Sequence, residues 1–159
     1  MRWPHPKVGP PRPRLNRPPD RSMTATDFRT LTAPTAADIE AIAHEVLEEL
    51  AATPFGPAIT DLLVRVDDFC DEEIEREMGL ESPYDLLGLY SGVSIDRQSV
   101  LDIRTSPDMV FLYRRPMLDY WCENDVDLHH VVRHVLIHEI GHHLGFSDDD
   151  MEAIEAAAD

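Results

Sequence analysis

Six of the eight histidines lie between positions 129 and 143. Two of them frame His138-Glu139-Ile140-Gly141-His142, an HExxH pattern. Histidines four apart share one helix face, close enough for two imidazoles to grip a single ion. Glu139, next to the first of them, is then placed to take a proton from metal-bound water. A chain of this composition contains a bare HExxH by chance in about 3% of shuffles, so the pattern alone decides little.

The residues that follow sharpen the reading. The full stretch from His138 to Asp148 is HExxHxxGxxD. Requiring Gly145 and Asp148 at those offsets lowers the chance estimate to about two in ten thousand. Gly145 can adopt a left-handed conformation, end the helix and turn the chain back within three residues. Asp148 then reaches the same ion as a third ligand, beside His138 and His142. Three protein ligands leave one tetrahedral position for water, the arrangement of a catalytic zinc site. One Zn2+ per chain is the expectation, since no cysteine cluster offers a second site. Ser147-Asp148-Asp149-Asp150 also reads as a helix start, with Ser147 as the cap and acids in the first turn. The two roles are compatible, because a first-turn residue can still project sideways.

The helix that must carry this motif opens at Asn124 and Asp127. Leu128, Val131, Val135, His138 and His142 fall on one stripe that turns the two ligand histidines toward the core. His130 and His134 drift away from that face as packing or supporting residues, and His143 points to a different side. Upstream, Thr35 and Asp38 make a capping-box start for a helix striped with Ile39, Ile42, Ala43, Val46, Leu47 and Leu50. Leu62 to Val66 alternates like a strand, and Asp71 to Met78 is a short acidic helix stopped by Gly79. Residues 85–95 suggest extended structure interrupted by glycine turns. Met109 to Tyr113 reads as a buried strand ended by Arg114, Arg115 and Pro116. Helices and short strands in this order, without regular βαβ alternation, indicate an α+β fold.

Composition bounds the rest. The 159 residues suit one domain over 35–159 and a Pro/Arg-rich arm over 1–34. Seven prolines within residues 1–22 oppose helix, so the arm is expected to be disordered. Residues 1–29 carry a net +5 and residues 30–159 a net −22. A body that acidic repels phosphate backbones and anionic lipid, which argues against nucleic acid and membrane as partners. No apolar run approaches the roughly 20 residues of a membrane span, and no secretory core follows the N-terminus. Cys70 and Cys122 form no CxxC pair and read as reduced, packed thiols of a cytoplasmic protein.

Three stretches together resemble one family: Leu86-Leu87-Gly88-Leu89-Tyr90-Ser91-Gly92, Val110 through Pro116, and His138 through Met151. They are similar to the small bacterial zincin-like metallopeptidases with a matrix-metalloprotease-like domain, the minimal metalloproteases. The resemblance implies a compact zincin-like domain, a small sheet packed with helices, with His138, His142 and Asp148 on the metal and Glu139 as acid/base. The motif also resembles that of the metzincins. It departs from them in having Asp148 where they carry a third histidine, and Met151 is too close to serve as their methionine turn. The implied activity is hydrolysis of a peptide or unfolded protein. Glu139 would pass a proton from water to the leaving amine. Tyr113 and Arg114 are the candidates for stabilising the oxyanion, and the strand they end could pair with an extended substrate if it lies at a sheet edge. The alternative is a metal-holding interaction module with little or no peptidase activity.

Overall fold

Thr35 opens the first helix with both halves of a capping box. Its hydroxyl accepts the Asp38 N–H at 3.3 Å, and the Asp38 carboxylate accepts the Thr35 N–H at 2.7 Å. The computed structural model describes residues 30–92, 107–147 and 149–151. From Pro34 onward these residues pack as one unit. Helix α1 runs Ala36–Ala51 and buries Ile39, Ala43 and Val46, while His44 is exposed on its far side. A four-residue helix, α2 (Gly56–Ile59), follows the break at Pro54. The expected arm lies outside the described residues up to position 29, and so does the extended segment expected at Val93 to Ile95.

Three strands make the sheet: β1 (Leu63–Asp67), β2 (Gly88–Ser91) and β3 (Met109–Tyr113), in the order β1-β3-β2. β3 pairs parallel with β1, Leu63 opposite Met109, and antiparallel with β2, Gly88 opposite Leu112. The uninterrupted apolar run of β3 follows from this central place, because side chains on both faces are covered. Val110 and Leu112 enter the main core with α1 and α5, while Phe111 and Tyr113 turn to a second cluster around Cys70 and Leu86. A small mixed sheet with helices packed on it is the expected α+β architecture. No helix among the described residues is long and apolar enough to cross a membrane.

Between β1 and β2 the chain forms α3 (Glu72–Met78). Asp71 caps it through the Glu73 and Ile74 N–H groups, and Gly79 closes it at φ 63°. One helix escapes the sequence reading. α4 (Arg114–Glu123) starts directly after β3, where Arg114 to Pro116 read only as the end of a strand. Pro116 sits in its first turn, where a missing N–H leaves no helical bond unmade. Arg114 is committed to structure there. Its Nε donates to the Pro34 carbonyl at 2.7 Å and its NH1 pairs with Asp68 at 3.0 Å. The second long helix, α5 (Leu128–His143), carries the motif.

Candidate active site

Asp127 starts α5 by accepting the His130 N–H at 2.7 Å, while Asn124 serves the preceding helix as its C-cap. Leu128, Val131, Val135, His138 and His142 do share a face, but that stripe is one margin of a wider buried surface. Val132, Leu136, Glu139 and His143 run beside it at spacings of four, three and four, and all are buried. Glu139 is 4% exposed and His143 3%. Two polar side chains therefore occupy positions that a count of apolar residues would give to leucine or valine. A buried polar group needs partners, and the sheet supplies them.

The outer edge of β2 holds Glu139. The Tyr90 backbone N–H donates to Glu139 Oε2 at 2.8 Å. In an antiparallel ladder alternate residues turn their N–H away from the partner strand, so this donor comes from the side of β2 facing away from β3. β3 is the central strand, and Tyr113 and Arg114 consequently end no sheet edge. Close approach of β2 to α5 depends on Gly88. A Cβ there would sit 2.7 Å from Val135 Cγ1 and 3.2 Å from Glu139 Cγ. Gly88 is thus the first residue of a strand, not the turn that sequence suggested.

His143 ties three elements together. Its Nε2 meets the Ala58 carbonyl of α2 at 2.9 Å, and its Nδ1 meets the Tyr90 hydroxyl at 3.1 Å. That hydroxyl donates to Asp108 Oδ1 at 2.9 Å, just before β3. A carbonyl has no proton to give, so Nε2 is a donor. Gly92 accommodates this junction, since a Cβ on it would collide with both Asp108 Oδ1 and the Tyr90 hydroxyl.

The histidine pair lies on the neighbouring face of α5. The rings of His138 and His142 are 4.9 Å apart between centroids and inclined by 72°. Helix α5 ends as the motif predicts: Gly145 takes φ 94° and the Phe146 N–H bonds back to the Gly141 carbonyl. That turn brings the Phe146 carbonyl 3.1 Å from His142 Nδ1. The carbonyl accepts an N–H there, which fixes the ring's tautomer and puts its lone pair on Nε2, the usual device for orienting a metal-binding histidine. Met151 is buried against Gly141, where a Cβ would collide with its sulfur. It therefore packs against the motif helix without being a methionine turn.

Ser147 caps the next helix through Asp150. The Ser147 N–H and hydroxyl both donate to Asp150 Oδ2, at 2.9 and 2.6 Å, and the hydroxyl accepts the Asp150 N–H. These bonds hold the Asp150 carboxyl below its ordinary range. Asp148, the expected third ligand, lies outside the described residues. His130 and His134 stack with centroids 6.2 Å apart, and His130 is exposed to solvent.

The two oxyanion candidates are placed elsewhere. Arg114 is engaged by Pro34 and Asp68, and Tyr113 is buried in the second cluster. Its hydroxyl has no hydrogen-bond partner among the described residues. Burial first, then the charges of Cys70, Asp67, Asp71 and Glu139, push that phenol well above its ordinary value. Both cysteines are free; Cys70 is buried as expected, but Cys122 is exposed on α4.

A helix-borne HExxH laid under the edge of a small mixed sheet defines a metallopeptidase-type domain. The sequence profile of the zincin-like metallopeptidases matches residues 59–158, well over half of the chain, and the protein belongs to that family. No curated protein matches the sequence.

Proposed function

We propose that the protein is a zinc-dependent peptidase, with His138, His142 and Asp148 holding one zinc ion and Glu139 acting as general base. The observation that carries this reading is the pairing of two orientations on α5. His142 is oriented by the Phe146 carbonyl, with the His138 ring 4.9 Å away, while the carboxylate of Glu139 is oriented separately by the Tyr90 N–H. Two imidazoles and one carboxylate form a donor set suited to zinc. When bound, the metal supplies a Lewis acid that polarises the scissile carbonyl and acidifies water. Glu139 takes the proton from the attacking water and delivers it to the leaving amine.

The substrate we infer is a peptide or unfolded protein, neutral or cationic, because residues 30–159 carry a net −22. The same charge disfavours nucleic acid and anionic membranes as partners. Two free thiols fit a reducing compartment, and we place the activity in the cytoplasm.

The test is cleavage of an unfolded protein by the purified chain, with zinc, after chelation and after zinc is restored. Activity lost and regained with the metal supports the reading. Full zinc occupancy without cleavage of any unfolded substrate refutes it and favours a metal-holding interaction module.

A further inference from the structure

Tyr90 meets helix α5 twice, one helical turn apart. Its backbone N–H holds Glu139, and its phenol contacts His143, four residues further along the same face. The phenol is fixed from a third side by Asp108, and its ring packs edge-on against the His143 imidazole at 5.3 Å. These contacts close a ring: Glu139, one turn of helix, His143, the Tyr90 phenol, the Tyr90 backbone, and back to Glu139. The far side of His143 is held in turn by the Ala58 carbonyl. A strand bonded to its sheet on one side only is free to shift on the other, so the donor that reaches Glu139 needs a second support. Glycines at 88 and 92, two residues either side of Tyr90, clear the space this requires.

We propose that Tyr90 is a positioning residue for Glu139. Its side chain, anchored between His143 and Asp108, sets the place of its own N–H, and that N–H aims the carboxylate. The proposal rests on the reading of Glu139 as the base, so its test has one arm that needs no activity.

That arm is amide hydrogen exchange of the zinc-loaded protein at position 90, compared between the wild type and Tyr90→Phe. The amide is expected to be protected in the wild type and to exchange at least about tenfold faster in the variant, with Leu89, which the ladder directs toward β3, little changed. Equal exchange at position 90 in the two proteins overturns the proposal, whether or not any peptide is cleaved.

The second arm is steady-state kinetics. Tyr90→Phe should lower kcat by about tenfold to a hundredfold while KM stays within about twofold and zinc content is unchanged. Gly92→Ala approaches the same junction from the other side and should reproduce the kcat loss. A melting temperature lowered in Tyr90→Phe with kcat intact reveals mere packing and overturns the proposal. Absence of cleavage by the wild type refutes the peptidase reading, leaving the exchange result to decide the clamp.

Discussion

Glu139 Oε2 accepts the backbone N–H of Tyr90 at 2.8 Å, across 49 positions of sequence. A buried carboxylate beside His138 is thereby tied to the sheet. The bond ties the carboxylate to β2, so its place depends on the distance between β2 and α5. In the mechanism proposed above Glu139 is the base, and a base must have its oxygen within reach of the proton it removes, so this distance would enter directly into that chemistry.

Glu139→Gln is expected to abolish peptide cleavage, by about a hundredfold or more, while leaving zinc content and melting temperature near those of the wild type. The amide oxygen can still accept from Tyr90, so the strand–helix contact survives. Undiminished cleavage by this variant refutes the mechanism. Metal analysis and a peptide assay on one preparation suffice.

Asp148→Ala separates a ligand from a helix-start acid. Two histidines alone grip zinc weakly, so metal content and cleavage should fall together. If the carboxylate only stabilises the first turn after Ser147, its loss costs about 1 kcal/mol or less and the metal stays. Full zinc in the purified variant removes Asp148 from the ligand set.

Gly88→Ala should destabilise the fold by about 1–3 kcal/mol, because Val135 Cγ1 stands 2.7 Å from the added methyl and a β-branched side chain has little room to move. Trimming the obstacle with Val135→Ala in the same chain should make the combined cost smaller than the sum of the two single costs. Denaturant midpoints of the three variants measure this coupling. Additive costs would show that the approach of β2 to α5 is looser than the geometry implies.

Tyr113→Phe should leave stability unchanged or raise it by about 1 kcal/mol, since it deletes a buried hydroxyl without a hydrogen-bond partner among the described residues. The phenol is held neutral in the fold, with its titration shifted upward from an ordinary value of 10. The unfolded chain therefore loses this proton first as pH rises. The contribution is complete below about pH 10 and is lost progressively above it, so the wild type should weaken at alkaline pH more steeply than the variant. Unfolding curves between pH 8 and about 11 test the sign. Parallel pH profiles would show that Tyr113 ionises freely in the fold.

Much of this protein is written in short-range pattern. The capping boxes, the stripe of α1, the glycine after α3 and the whole of β3 are recognisable in sequence because they depend on neighbours within one or two turns. The same holds for the metal motif: four-residue spacing places His138 and His142 together, and Gly145 turns the chain back toward them. α4 was not legible, because a charged start containing proline carries the marks of a break and only Pro116 and Met117 of it are buried.

What the tertiary structure alone decided is which face of α5 the sheet meets. Periodicity marks Val131, Val135 and His138 as inward, yet Glu139 and His143 lie inward as well, because β2, α2 and the start of β3 bring donors and acceptors to them. His143 reaches partners 53 and 85 positions away, and no local spacing encodes such a meeting. Sequence reads the histidine beside His142 as turned aside; strand order makes it a junction. The physical reason is that a polar side chain can be buried only where distant backbone arrives to satisfy it, and that arrival is a property of the assembled fold.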